Sequence, residues 1–191
     1  RLMSVERSVL LAGLCLVAGY AFGNFLAAEI VARCIAGAGI RRVGNGRPDS
    51  GNVSRSLGRP AGLAVVAGDV LKTALACWFC YKLAAPELGY DAMLYGGLGT
   101  LAGQVWPLWL RGKGGDATAV LCTWLTLYLP ITGGLCVLAG AVVAAGTGRR
   151  SLAVTLIPVL AVPVAWLQFG IHSGLLVLLG AVIQIYRQRY R

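Results

Sequence analysis

The chain has 191 residues, of which 58% are hydrophobic and 13% are charged, and its formal net charge at pH 7 is +10. Soluble domains are about 25% charged, so this composition excludes an ordinary water-soluble protein. It favours an all-α integral membrane protein built as one core bundle. In such proteins, arginine in cytoplasmic loops is the usual source of positive charge, and we therefore expect no nucleic acid as a partner.

Apolar segments separated by polar stretches predict seven transmembrane helices. A helix needs about 20 mostly apolar residues to cross a bilayer, and Pro60 suits the start of one. The apolar stretch 117–145 contains Pro130 and the pair Gly133-Gly134, which favour two shorter helices with a turn between them. The predicted spans are therefore 9–31, 60–81, 92–110, two within 117–145, 151–169 and 173–186.

Three polar insertions interrupt this single membrane domain, which covers residues 1–191, near 33–59, 111–116 and 146–151. The longest includes the stretch RRVGNGRPDSGNVSRSLG. If it faces the cytoplasm, seven crossings put the N-terminus outside and the C-terminus in the cytoplasm. Thirteen of the 17 basic residues then lie on the cytoplasmic side, as the positive-inside rule requires. This predicts a multi-pass protein of the inner (plasma) membrane with all three insertions on its cytoplasmic face.

The insertions combine glycine with arginine and lysine. Glycines let backbone N–H groups turn toward a ligand, and the basic side chains supply fixed positive charge. The combination suits a phosphate-bearing ligand at the membrane surface. Solvated loops that only maintain topology have a similar composition, so both interpretations stay open. The sequence RGKGGD at 111–116 lacks Walker A spacing, and the one histidine, His172, leaves no Ser-His-Asp arrangement.

Six cysteines are scattered along the chain, and only Cys77 and Cys80 form a CxxC pair. Buried thiols that act as small apolar side chains explain this pattern better than a metal or redox site, and we expect no cofactor and no metal. Asp69 and Lys72 are three residues apart and share one helix face. A charge at membrane depth usually faces the bundle interior. These two residues therefore form either a buried ion pair that braces the bundle or a direct contact with a ligand.

Several stretches, taken in order, resemble motifs of the acyl-phosphate-dependent glycerol-3-phosphate acyltransferase family (PlsY). The family's first motif, roughly VGSGNxGxTNxxRxxG followed by DxxKG, resembles residues 43–58 and 69–72. Its second, roughly GHxxPxxxxFKGGKG, resembles GQVWP at 103–107 and KGG at 113–115. The sequence SLA at 151–153 is similar to the third region, and YRQR at 186–189 to the closing YRHRxN. The resemblance covers nearly the whole chain.

This resemblance implies an enzyme of phospholipid biosynthesis that transfers an acyl chain from acyl phosphate to glycerol 3-phosphate, with membrane lipids around it. The implied catalytic residues are Asn52, Arg55, Lys113 and Ser151. In this scheme Arg55, Lys113 and Arg187 hold the two anionic substrates, Asn52 and Ser151 orient their oxygens, Gly44 and Gly46 offer backbone donors, and Gly114 and Gly115 allow close approach. The implied substrate- and phosphate-binding residues are Gly44, Gly46, Gly114, Gly115, Asp69, Lys72, Gln104 and Arg187.

The chain also departs from the family's motifs. Glutamine stands at 104 and 188 in place of histidine and does not titrate near neutral pH. Asp116 reverses the charge of the second lysine of KGGKG. These departures motivate an alternative, a catalytically inactive relative that serves as an accessory or lipid-binding subunit of a larger membrane complex, with other membrane subunits as partners. The substituted positions are Asn45, Arg47, Asp49, Gly51, Gln104, Asp116 and Gln188.

Overall fold

The computed structural model describes residues 2–189, with side chains from residue 5 onward. This part of the chain contains nine α-helices, two 3-10 turns and no strand. The 3-10 turns cover Ile40–Arg42 and Leu108–Leu110. The helices are α1 Leu2–Asn24, α2 Ala27–Ala36, α3 Ser50–Leu57, α4 Arg59–Leu88, α5 Asp91–Val105, α6 Thr118–Tyr128, α7 Pro130–Thr147, α8 Arg150–Phe169 and α9 Ile171–Arg189.

Length and composition agree with a membrane protein. In the described residues, four helical segments are long and apolar enough to cross a bilayer. Many of their large apolar side chains point outward, and Leu167 and Ile131 are 86% and 79% exposed. In water such a surface would be unfavourable, whereas lipid solvates it. The four segments are Val5–Ala36, Arg59–Leu88, Pro130–Thr147 and Arg150–Phe169.

The first predicted span, 9–31, is not one continuous helix. The chain breaks between α1 and α2, where the side chain of Asn24 makes two hydrogen bonds. Its amide donates to the Tyr20 carbonyl at 2.8 Å, and its oxygen accepts the Leu108 N–H at 2.6 Å. The second bond joins the break to the segment after α5, which lies far away in the sequence.

The predicted loop 33–59 also contains more structure than its composition indicates. Helix α3 lies within it, and Asp49 caps this helix by accepting the Asn52 N–H at 2.7 Å. Helix α4 begins with Pro60 in its first turn, as predicted, but extends past the predicted end at residue 81 to Leu88. The turn between α7 and α8 is only Gly148 and Arg149.

The prediction that 117–145 forms two helices is confirmed. Helix α6 ends at Tyr128 and α7 begins at Pro130, because proline suits a first turn and cannot continue the preceding ladder of hydrogen bonds. Gly133 lies so close to α6 that a Cβ there would overlap the Leu125 carbonyl. The two helices are thus held close together on either side of a tight turn.

Small residues allow the helices to pack closely. Cβ atoms at Gly19, Gly23, Gly99 or Gly103 would overlap backbone atoms across the contact between α1 and α5. Such small-residue contacts are typical of membrane helix pairs, where lipid provides no hydrophobic driving force for association. The buried ring of Trp124 fills the centre of the core. The result is a closely packed bundle in which the polar segments meet at one cavity.

Candidate phosphate-binding site

A polar cavity of about 420 Å³ opens where the three insertions meet. It is built from the loop before α3, from α3 itself, from Asp116 in the segment before α6, from the start of α8 and from the end of α9. Side chains that carry charge or hydrogen-bonding groups dominate its wall. The lining residues are Arg47, Asp49, Ser50, Gly51, Arg55, Asp116, Arg150, Ser151, Val154 and Gln188.

The side chain of Asn52 shapes the loop that forms one wall. It is 1% exposed, and its amide donates to the carbonyls of Val43 at 2.9 Å and Arg47 at 3.0 Å. Its oxygen accepts the Asn45 N–H at 3.0 Å. All of these partners belong to the loop, so Asn52 determines where Arg47 lies. It acts through the loop and does not line the cavity.

Gly44 and Gly46 give this loop its curvature, with φ angles of +54° and +73°. Non-glycine residues rarely adopt such angles. The N–H of Gly46 donates to the Val43 carbonyl at 2.9 Å. It is therefore used within the loop, and the prediction that it donates to a phosphate does not fit this structure. A Cβ at Gly44 would overlap the side chains of Ser56 and Asn52. Both glycines are therefore required by the fold of the loop.

Three arginines give the cavity its positive charge. Arg47 comes from the loop, Arg55 from the last turn of α3, and Arg150 from the first turn of α8. Two carboxylates, Asp49 and Asp116, line the same cavity. Three positive and two negative side chains leave a net charge of +1, compatible with binding an anion through planar guanidinium groups.

The glycines after Lys113 serve close packing of the backbone. The N–H groups of Gly114 and Gly115 donate to the carbonyls of Val105 at 3.0 Å and Gln104 at 3.3 Å. A Cβ at Gly114 would overlap those carbonyls, and one at Gly115 would overlap the Pro48 carbonyl. The close approach predicted at these glycines is thus an approach between two segments of the protein itself.

Arg187 does not line the cavity but supports it. Its guanidinium donates to the Gly114 carbonyl and, at 3.4 Å, to the Gly115 carbonyl. This fixes the end of α9 against the segment before α6. The neighbouring Gln188 lines the cavity directly, in the position where the resembling family has histidine.

Asp116 is held firmly at the edge of the cavity. One of its oxygens accepts the Thr118 N–H at 3.2 Å, the Thr118 hydroxyl at 2.6 Å and the Gln184 amide at 3.0 Å. The first two bonds position the residue at the start of α6, and the third connects it to α9. The carboxylate that replaces the family's lysine is therefore held in a fixed position in the cavity wall.

Asp69 and Lys72 form a buried ion pair at 2.8 Å. The ammonium group also donates to the Phe25 carbonyl at 2.9 Å and to the side-chain oxygen of Gln104. The Gln104 amide in turn donates to the Asp116 carbonyl at 3.3 Å. These contacts connect α4, α5 and the break after α1. Of the two interpretations left open, they support the pair that braces the bundle, because neither charged residue lines the cavity.

The structure brings together some of the predicted site residues and separates others. Arg55 and Ser151 share the cavity, although they are far apart in sequence. Lys113 lines a different, shallow depression. Sequence reasoning did not assign roles to six polar residues of the wall. Four of them stood out only as motif departures, Arg150 was visible only as a neighbour of the predicted serine, and Ser50 gave no signal. The four departures are Arg47, Asp49, Asp116 and Gln188.

Comparison with known proteins identifies the family. The profile of the family described as "Glycerol-3-phosphate acyltransferase" matches residues 13–191. A glycerol-3-phosphate acyltransferase of Laribacter hongkongensis is 33% identical over 178 residues, covering 88% of this chain and 85% of that protein. One of Prochlorococcus marinus (strain NATL2A) is 35% identical over 119 residues. That match covers 62% of this chain, and it spans 57% of the Prochlorococcus protein.

The fold has a counterpart among solved structures. The crystal structure of PlsY (YgiH), an integral membrane glycerol 3-phosphate acyltransferase, in its glycerol 3-phosphate form superposes with a TM-score of 0.80 and 22% identity. The superposition covers 94% of this chain and 88% of that one. These relatives are named as acyltransferases and give no support to the alternative of an accessory subunit. The chain belongs to the glycerol-3-phosphate acyltransferase family.

Proposed function

We propose that the chain transfers an acyl group from an acyl phosphate to glycerol 3-phosphate and releases lysophosphatidic acid. One observation supports this most directly. Arg47, Arg55 and Arg150 line one cavity together with the Ser151 hydroxyl, in a chain that belongs to the acyltransferase family. Both substrates carry phosphate, and guanidinium groups bind phosphate oxygens in pairs.

The chemistry needs positioning and anion stabilisation more than a protein nucleophile. A hydroxyl of glycerol 3-phosphate attacks the acyl carbonyl carbon, an ester C–O bond forms, and the bond between the acyl carbon and the phosphate oxygen breaks. The departing phosphate takes the hydroxyl proton. In this scheme Arg55 and Arg150 bind the two phosphates, Ser151 orients an oxygen, and Asn52 and Arg187 keep the walls in place.

An apolar groove supplies a place for the acyl chain. It continues from the cavity along α6, α7 and α8, and the two share Arg150 and Val154. Small residues border it, among them Gly140 and Ala153. A chain bound there would present its acyl phosphate to the arginines while its tail stays in an environment like lipid.

The activity test is direct. The purified protein receives palmitoyl phosphate and glycerol 3-phosphate, and lysophosphatidic acid is measured with Arg55→Ala and the control Arg149→Ala. Arg149 is exposed but lines none of the cavities described above. We expect kcat/KM to fall about 100-fold in Arg55→Ala, the cost typical of removing a preorganised donor, and to stay unchanged in the control. No wild-type product, or equal losses in both variants, would contradict the proposal.

We further propose that α1 and α4 to α9 cross the inner (plasma) membrane, with the N-terminus outside and the cavity facing the cytoplasm. Helix α6 is only about 17 Å long at 1.5 Å per residue, so the non-helical residues 113–117 complete its crossing. Non-helical backbone is tolerated at such depth when it is buried in protein. Gly114, Gly115 and Ala117 are buried, which supports this assignment.

Cys34 provides a native reporter of orientation, because it is exposed while the other five cysteines are buried or half-buried. A membrane-impermeant maleimide should label it in inside-out vesicles and not in intact cells. Tyr90→Cys in a Cys34→Ala background places a thiol just after the C-terminal end of α4, on the side proposed to face outward. This thiol should be labelled in intact cells and not in inside-out vesicles. Labelling of Cys34 in intact cells would refute the orientation without bearing on the activity.

A further inference from the structure

A second set of depressions lies apart from the cavity and shares no residue with it. One is an apolar groove of about 330 Å³ beside the break between α1 and α2. The other is a shallow depression of about 320 Å³. They adjoin because both are lined by Trp109 and Leu110. The groove is further lined by Asn24, Phe25, Leu26, Glu29, Ile30 and Arg33, and the depression by Arg41, Arg111 and Lys113.

These depressions are held in shape by bonds across the fold. Leu108 donates its N–H to Asn24 at the helix break, at 2.6 Å. The Tyr20 hydroxyl donates to the Trp106 carbonyl at 2.7 Å. Arg41 donates to the Lys113 carbonyl at 3.0 Å, and this bond joins two residues of the shallow depression. The segment that carries the exposed tryptophan is therefore fixed before any ligand binds.

The charge at this place is strongly positive. Arg41, Arg111 and Lys113 contribute three cationic side chains to one depression. Glu29, the acidic residue of the groove, pairs with Arg33 at 2.7 Å and accepts the Ile40 N–H at 2.8 Å. Its charge is thus already compensated. Next to these cations, Trp109 is 78% exposed, as is typical of tryptophan at a membrane–water interface. Phe25 is 67% exposed beside it.

We propose that the two depressions together bind one anionic phospholipid of the surrounding bilayer. The phosphate of its headgroup lies on Arg41, Arg111 and Lys113, and part of one acyl chain lies in the groove against Phe25 and Ile30. A headgroup and a chain are needed to fill both depressions at once, which distinguishes a lipid from free phosphate. The site is separate from the cavity with Arg55 and Ser151, so occupancy does not depend on acyl transfer.

The test uses lipid binding and not activity. Wild-type protein is reconstituted in vesicles of equal parts phosphatidylcholine and phosphatidylglycerol, extracted gently, and the lipids retained on each protein are identified by native mass spectrometry. The double variant Arg111→Gln/Lys113→Gln is compared with Arg149→Gln/Arg189→Gln, which removes two exposed charges elsewhere. Each variant is first checked by thermal unfolding.

We expect wild type and the control pair to retain phosphatidylglycerol in preference to phosphatidylcholine. The Arg111→Gln/Lys113→Gln variant should lose this preference by about fivefold for each charge removed. Equal retention of the two lipids by wild type, or an equal loss in both double variants, would overturn the proposal.

The groove offers an independent test if the charge variants fold poorly. Ile30→Trp should fill the groove and lower the amount of phosphatidylglycerol retained. Leu167→Trp, at a side chain that is 86% exposed on α8, is the matched control and should have no effect. Wild-type retention in a folded Ile30→Trp protein would show that no acyl chain occupies the groove, and the proposal would fail.

Discussion

The side-chain amide of Asn52 sets the shape of the loop that leads into the cavity, so Asn52→Ala tests the architecture of the site. The substitution removes the bonds to Val43, Arg47 and Asn45. A buried polar group left without a partner costs about 1–3 kcal/mol. Val43 is buried, whereas water reaches Asn45 and Arg47. We therefore expect the free energy that keeps this loop in its native conformation to fall by about 2–3 kcal/mol, with little effect on the rest of the fold.

Loosening of this loop should act on substrate binding. Arg47 lines the cavity, and misplacement of a binding group by about 1 Å can cost about 100-fold in kcat/KM. We expect a loss of that order, carried mainly by the KM for glycerol 3-phosphate, while thermal unfolding of the whole protein changes little. The assay is acyl transfer from palmitoyl phosphate at varied glycerol 3-phosphate, alongside a melting curve.

Ser56→Ala is the matched control for this prediction. The Ser56 hydroxyl also donates to the Asn52 oxygen, at 3.4 Å, but its removal leaves all bonds to the loop in place. An unchanged KM in a folded Asn52→Ala protein would refute the reasoning. Equal effects of both substitutions would show that α3 as a whole, and not the amide of Asn52, determines the loop.

Three further predictions concern packing and charge. Gly115→Ala should destabilise the protein by about 1–3 kcal/mol through overlap with backbone, whereas Gly134→Ala, where a Cβ meets open space, should be neutral or slightly stabilising in a melting curve. Lys72→Met should lower stability by about 3–5 kcal/mol, because it leaves a buried carboxylate without its partner; adding Asp69→Asn should recover much of this loss, and no recovery would contradict the pairing. Asp116→Asn should lower the KM for glycerol 3-phosphate about fivefold, since about 1 kcal/mol of repulsion between a carboxylate and a phosphate disappears. This gain should shrink at high salt, and an unchanged KM would show that the phosphate binds away from Asp116.

Local sequence signals predicted the parts of the fold that have local causes. Pro130 ends one helix and starts the next because of its own covalent structure, so the corner between α6 and α7 was visible in the sequence. The polar insertions were expected on one face, and two of them do contribute Arg55 and Ser151 to one cavity. Neither inference required knowledge of which helices touch.

Features with distant causes were not predictable in this way. The break after Asn24 coincides with a bond to Leu108, 84 residues away. Hydrophobicity alone predicts one continuous helix across this position. Helix α3 has only eight residues, too few to be stable by propensity. It forms because Asp49 caps it and α4 packs against it. The surrounding glycines and arginines have the composition of a loop, so the sequence did not indicate this cap.

The glycine-rich segments show why the motif departures have unequal consequences. The N–H groups of Gly46, Gly114 and Gly115 already donate within the protein, so in the proposed enzyme phosphate recognition rests on arginine side chains more than on backbone. Substitutions that keep the loops closed should then be tolerated, and those that alter charge in the cavity should not.

The pair of departures at 104 and 116 illustrates this distinction. Gln104 accepts from Lys72 with its oxygen and donates to the Asp116 carbonyl with its amide, two roles that a neutral amide fills at every pH. It thereby preserves the support beneath the cavity although it replaces histidine. The Asp116 carbonyl accepts this bond from Gln104, while its side chain places a carboxylate where the family's motif has a lysine. The first change therefore keeps this supporting contact, and the second is the one that should set the affinity of this chain for the proposed phosphate-bearing substrates.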